Sequence, residues 1–249
     1  GPYLNAARKG VHDPSKFHTP DAAELDLVAS LGKDGVTLVT LAPERFEAAT
    51  LRALAERGVI IAAGHTAATY EQLRDGFANG ITGITHLFNA MTPMNSREPG
   101  AVGASLENPD AWCGLIVDGY HVHDASLRVA IAARPRGKMM LVTDAMPPVG
   151  GEREAFSLYG VEMICRDGQC TTADGTLAGS ALDMASAVRN TVQRLGLPLE
   201  EACRMASQYP AEFIGLGGEL GRIAPGYRAD LVVLDEALQV QGTWIAGKG

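Results

Sequence analysis

Short apolar runs alternate with stretches of helically spaced apolar residues along the first part of the chain. This alternation predicts repeated strand–loop–helix units. VTLVTLAPE (36–44) reads as a buried parallel strand, and ERFEAATLRALAERG as a helix stopped by Gly58. VIIAAGH ends at His65, ITGITH at His86, GLIVDGYH at His121 and KMMLVTD at Asp144. A helix-like stretch is expected after three of these four. After His86 comes LFNAMTPMNSREPGAVGA, an Asn-, Pro- and Gly-rich loop too long to be a mere connector. Residues 1–35 read as loop-rich, with one short helix near Asp21 to Leu31. Strand C-termini carrying metal-binding or proton-moving residues point to an enzyme on a β/α barrel, whose loops converge on one face.

The pattern changes after Asp144. Residues 150–177 read as short antiparallel strands with Asp-Gly turns. SALDMASAVRNTVQRLG and PLEEACRMASQYPAEFIGLG read as two amphipathic helices, and GRIAPGYRADLVVLDEALQVQGTWIAGKG as a small all-β appendage. Five barrel-type strands are fewer than the eight of a closed barrel. Either strands near the ends go unread, or part of the barrel lies outside this chain.

The 249 residues suffice for one barrel or two small domains, and 46% hydrophobic residues support a large core. A formal net charge of −8 argues against nonspecific nucleic-acid binding. It does not exclude an anionic small substrate held by a local Arg. No apolar run reaches the roughly 18 residues of a membrane span, and no signal peptide opens the chain, so a cytoplasmic protein is expected. The four cysteines include no CxxC pair. Cys165 and Cys170 flank a predicted Asp-Gly hairpin turn, which allows a cross-strand disulfide, but reduced thiols are the expectation.

His65 and His86 are the leading metal-ligand candidates, because imidazole nitrogen suits zinc and divalent iron or cobalt. Either alone would read as a hydrogen-bonded core histidine; a pair at adjacent strand ends favours ligation. Asp144 at the end of an apolar strand is costly to bury unless paired or functional, and Pro147 and Pro148 weaken its reading as a helix cap. A carboxylate beside a metal-bound water can move its proton. His121 is expected to face the pocket late in its strand and His123 the surface. His12 is ambiguous, and His18 carries no functional reading. Arg97 is either a solvated charge or a bidentate clamp for phosphate or carboxylate. Asn89 and Ala90 could offer an amide and backbone N–H groups to the same anion. These residues reach a metal-assisted hydrolase on a β/α barrel, without a substrate.

Several stretches resemble the N-acetylglucosamine-6-phosphate deacetylase family of the amidohydrolase superfamily. They are GPYLNAARKGVHDP, LAPE, AAGHTAATYEQ, GITHLFNAM with downstream REPG, IVDGYHV, LVTDAM, GTLAGSALDM and GRIAPGYRADLVVLD. They run in family order nearly end to end. The resemblance implies a (β/α)8 TIM-type barrel of the metal-dependent hydrolases, incomplete at its N-terminus over residues 1–220. Residues 221–249 would supply C-terminal strands of a small β-sandwich. It implies hydrolysis of N-acetyl-D-glucosamine 6-phosphate with a divalent cation, zinc first and Fe2+, Co2+ or Mn2+ as alternatives. His65 and His86 match metal ligands, and Asp144 the general base, then acid. His121 and His12 match substrate contacts, and Asn89, Ala90 and Arg97 a phosphate group, with Arg97 serving the neighbouring subunit of a homodimer. The family's third ligand is a Glu immediately before the opening Gly-Pro. The Gly-Pro is therefore read as native sequence rather than a cleavage scar, and the chain as about two thirds of an enzyme that alone holds metal weakly and exposes apolar strand edges.

Overall fold

The computed structural model describes residues 2–151 and 154–249. Gly1, on which part of the reading of the opening Gly-Pro rests, lies outside the described residues, as do two positions of the predicted 150–177 hairpins.

Five strands form one sheet in sequence order: β1 (Leu38–Leu41), β2 (Ile60–Ala63), β3 (Ile81–Ile84), β4 (Trp112–Leu115) and β5 (Met139–Leu141). Every neighbouring pair is parallel, so each connection must cross back over the sheet, and helices do so. α1 (Ala22–Val28) precedes the sheet, and α2 (Ala48–Glu56), α3 (Tyr70–Ala78), α4 (Gly100–Glu107) and α5 (Asp124–Ala132) connect its strands. This is the architecture of a TIM-type barrel wall, and its five strands do not close a ring. Leu38 on the edge strand β1 is 43% exposed, as expected of an apolar strand edge.

Local sequence accounts for the element ends. Asp21 with Glu24 closes a capping box on α1, and Thr69 with Gln72 closes one on α3. Leu51 and Leu54 of α2 and Leu73 of α3 turn inward and are buried with Leu41, Ile61, Ile84 and Leu115 of the strands.

After β5 the chain leaves the barrel pattern for a four-stranded antiparallel sheet: β6 (Ala155–Leu158), β7 (Val161–Arg166), β8 (Gln169–Thr172) and β9 (Leu177–Ser180). α6 (Met184–Gln193), α7 (Leu199–Ala206) and α8 (Gln208–Phe213) follow, then the hairpin of β10 (Leu231–Leu234) and β11 (Val240–Trp244). No helix among the described residues is long and apolar enough to cross a membrane.

The structure corrects five expectations. A helix directly follows only two of the four strand-end residues, since the antiparallel sheet follows Asp144. β4 stops at Leu115, so His121 lies in a loop rather than late in a strand: Asp118 accepts the backbone N–H of Tyr120 and of His121 and turns the chain there. Gly100–Glu107 is a helix, though glycines give it poor propensity. Its small residues are buried from Gly100 to Ser105, so packing outweighs propensity. The last predicted helix is two, broken at Ser207 (φ −132°, ψ −63°) just ahead of Pro210. Finally, Cys165 and Cys170 are directly opposed across β7 and β8 and form a disulfide.

Candidate active site

His65 and His86 follow the adjacent strands β2 and β3, and their Nε2 atoms stand 3.0 Å apart. The His65 Nδ1–H donates to the Arg8 carbonyl (2.8 Å), which leaves its Nε2 lone pair directed at His86. The His86 ring is buried, and its Nδ1 finds no hydrogen-bond partner among the described residues. Burial first, and then the neighbouring His86 ring, lower the pKa of His65 to about 3, against the pull of the Arg8 carbonyl. Burial likewise lowers that of His86, although Asp144 opposes it. Both rings are thus held neutral, the form that ligates metal.

Two imidazole nitrogens on one tetrahedral zinc, each about 2.0–2.1 Å from the ion, stand roughly 3.3 Å apart. The 3.0 Å separation fits a shared divalent cation. Among the described residues no group of three His, Cys, Asp or Glu side chains converges on one point. The pair therefore fits as two members of a ligand set.

Three other residues gather round it. The Asp144 carboxylate lies close enough for its charge to act on both His86 and His12. The His12 ring meets the His65 ring edge-on at 4.9 Å, and burial lowers its pKa. His121 also lies within electrostatic reach of His86. Its Nδ1–H donates to Asp118 Oδ2 at 2.6 Å, with both side chains nearly inaccessible. Burial would push the Asp118 carboxyl up, but hydrogen bonds from the His121 ring and from the amides of His121 and Tyr120 hold it below its ordinary value. His123 is the N-cap of α5, and His18 pairs with Glu24 away from this group.

The backbone marks the same positions. His65 (φ 48°), His86 (φ 34°) and Asp144 (φ 52°) all adopt the left-handed conformation, as do Phe88 and Ala90 in the turn after His86. Such residues each cost on the order of 1–3 kcal/mol and cluster at functional sites.

The anion-binding candidates are less convergent. Asn89 sends its side-chain amide back to the carbonyls of His86 and Leu87, and Ala90 accepts the Thr66 N–H. The turn thus sits beside His65 and His86, but the Asn89 amide is engaged within it. Arg97 is exposed and makes no hydrogen bond or ion pair among the described residues.

Sequence reasoning missed three supports. Glu44, just after β1, accepts from Asn5 Nδ2 (2.9 Å), Thr66 Oγ1 (2.5 Å) and Ala67 N (2.6 Å), while Asn5 N donates to the His65 carbonyl. Ser180 of β9 donates its hydroxyl to the Thr143 carbonyl and its N–H to the Asp144 carbonyl. Asp118 orients His121. Glu44 and Ser180 act on residues far away in sequence or through backbone atoms; Asp118 acts three residues along, and its Asp-Gly turn left a local trace.

Known proteins resemble this chain over its whole length. An N-acetylgalactosamine-6-phosphate deacetylase of Escherichia coli O157:H7 is 41% identical over all of this chain and 66% of its own length. The crystal structure of an N-acetylglucosamine-6-phosphate deacetylase from Pasteurella multocida superimposes with a TM-score of 0.95 at 35% identity, over 100% of this chain and 65% of that one. A mutant of the Mycobacterium smegmatis N-acetyl-D-glucosamine-6-phosphate deacetylase, in complex with N-acetyl-D-glucosamine 6-phosphate, matches at TM-score 0.93 and 38% identity, over 100% and 66%. The chain thus spans less than two thirds of the length of the curated relatives first matched. The model of the amidohydrolase family matches residues 1–248, and the chain is a member of that family.

Proposed function

We propose that the protein, at its full length, hydrolyses N-acetyl-D-glucosamine 6-phosphate to D-glucosamine 6-phosphate and acetate. The observation that carries this reading is the neutral His65–His86 pair, 3.0 Å apart at adjacent strand ends, with Asp144 and His121 beside it. His65 and His86 would hold a divalent cation, zinc first, which when bound supplies Lewis-acid polarisation of the amide and a more acidic water. The third ligand that the resemblance implies would precede Gly1, and two imidazoles alone hold a cation weakly. Activity is therefore proposed for the full-length protein.

The roles of this chain's own residues follow from their chemistry. Asp144 takes a proton from the attacking water and then delivers it to the departing amine nitrogen. His121, oriented through its Nδ1 contact with Asp118, faces the acetamide and helps polarise its carbonyl as the carbon becomes tetrahedral. His12, whose ring packs edge-on against that of His65, contacts the sugar. Arg97, from a neighbouring subunit of a homodimer, and the Asn89–Ala90 turn hold the phosphate and orient the acetamide. Residues 1–220 would be the catalytic unit and residues 221–249 part of a small β-sandwich.

A second reading exchanges the sugar for its C4 epimer, and it is favoured by two N-acetylgalactosamine-6-phosphate deacetylases at 41% identity. Acetate release by the zinc-loaded full-length protein, measured on both sugar phosphates, tests both. Release from the glucosamine derivative with the higher kcat/KM is expected. A preference for the galactosamine derivative would establish the second reading. Release from neither, with metal bound and the fold intact, would refute both.

A further inference from the structure

His121 stands in a loop six positions past the end of β4 at Leu115, and a loop by itself does not hold an imidazole to the tolerance that catalysis needs. The end of α6 grips this loop. Asn190 Nδ2 donates to the Val117 carbonyl at 2.8 Å. One residue past the helix, Arg194 reaches both ends of the loop. Its Nη1 donates to the Asp118 carbonyl (3.2 Å), and its Nε and Nη2 form a fork on the Asp124 carboxylate (3.2 and 3.1 Å). Asp124 is the first residue of α5, so the guanidinium spans the segment from 118 to 124 with His121 at its centre.

Gly119 completes the fit. It has φ +88°, and a Cβ there would come within 2.6 Å of Arg194 Cζ, so the loop admits the guanidinium only because this position lacks a side chain. Arg128 Nη1 in turn donates to the Arg194 carbonyl. The Arg194–Asp124 pair is partly exposed, at 37% and 25%, and an exposed pair adds little to global stability. Its contacts bear on where the loop sits.

We propose that Arg194 is a positioning residue for His121: by tying the Asp118 carbonyl to the Asp124 carboxylate, it fixes the loop from which Asp118 orients the imidazole. The catalytic meaning of this assignment rests on the function proposed above; the structural assignment does not.

Amide hydrogen exchange in the full-length protein tests the structural part directly. Asp118 Oδ1 protects the amides of Tyr120 and His121. Arg194→Ala is expected to raise exchange at those two amides about tenfold or more, with the α6 amides and the urea midpoint nearly unchanged. Gly119→Ala, which displaces the guanidinium without deleting it, is expected to do the same. Arg189→Ala is the control, because Arg189 points from the same helix to the Leu238 carbonyl; it is expected to leave both amides unchanged. Unchanged exchange at Tyr120 and His121 in Arg194→Ala would overturn the proposal.

Kinetics supply the second arm. Arg194→Ala is expected to lower kcat by about 10- to 100-fold, to raise KM little and to leave metal content intact. In a His121→Ala background it is expected to have no further effect, because the two act through one group. Losses that multiply would overturn the positioning role. If the parent protein releases no acetate, the functional reading falls while the exchange experiment still decides the fate of Arg194.

Discussion

Gly179→Ala should damage the site from a distance, and its size can be worked from the structure. Gly179 lies in β9 with φ +73°. A Cβ there would lie 2.7 Å from Met146 Cγ and Cε and 2.8 Å from the Asp144 carbonyl oxygen. Alanine in the left-handed region costs about 1–2 kcal/mol. The lower entropy of its unfolded chain returns about 0.4–1 kcal/mol, leaving a net cost near 1 kcal/mol. The overlap adds about 1–3 kcal/mol, because a backbone carbonyl cannot rotate away as a side chain can. The total is about 2–4 kcal/mol. Gly175→Ala is the matched control: φ is +83°, and its Cβ would meet nothing within 4 Å, so it should carry only the conformational cost of about 1 kcal/mol. Urea unfolding of the two variants, followed by circular dichroism, gives the difference, expected at about 1–3 kcal/mol. The overlap should also push Asp144, and a displacement of about 1 Å at a catalytic group costs on the order of 100-fold in rate. Equal stability and equal turnover in the two variants would refute the idea that Gly179 keeps Asp144 in place.

Three further outcomes are expected. Asp144→Asn should abolish acetate release while bound zinc, measured by atomic absorption, stays at the parent level; near-parental activity would remove Asp144 from the proposed mechanism. Arg97→Ala should raise KM for N-acetylglucosamine 6-phosphate and leave the unphosphorylated sugar unaffected, and an equal effect on both would count against the phosphate clamp. Asp118 has a pKa below its ordinary value because hydrogen bonds outweigh burial. The native state thus binds fewer protons than the unfolded one, and the stability from Asp118 is present above about pH 4 and lost as pH falls through the lowered value. Asp118→Asn should therefore cost about 1–3 kcal/mol at pH 6, with the gap to the parent narrowing towards pH 3; a gap independent of pH would contradict this.

The barrel units were legible because two periodicities alternate in the sequence, and the helices α2, α3 and α5 and the strands fall where those periods place them, apart from β4, which ends at Leu115 short of His121. α4 was hidden, because its glycines and alanines carry no amphipathic pattern, and only the burial of the whole segment makes it a helix. The break at Ser207 was hidden because the apolar period runs through it. At the candidate site, residue types at strand ends singled out His65, His86 and Asp144, and the structure places His12 beside His65 and His121 within reach of His86. Glu44 and Ser180 escaped, since a hydrogen bond to a backbone atom or to a residue on a neighbouring strand end leaves no spacing to read, whereas Asp118, three positions before His121, left its Asp-Gly turn as a trace that went unused.

The left-handed backbone at His65, His86 and Asp144 narrows the chemical alphabet open to those three positions. Outside glycine, that conformation is tolerated best by Asn, Asp and His, and two of these three also ligate metals or carry protons. A cysteine or a glutamate in place of either histidine would add a conformational cost on the order of 1 kcal/mol, the size of a several-fold preference, before any coordination was gained. Thiolate-rich versions of this centre are thus disfavoured by the chain's path alone, and among carboxylates the same path favours aspartate over glutamate. New reactivity on such a scaffold is more accessible through the surrounding loops, whose residues can vary, than through exchange of the strand-end residues themselves.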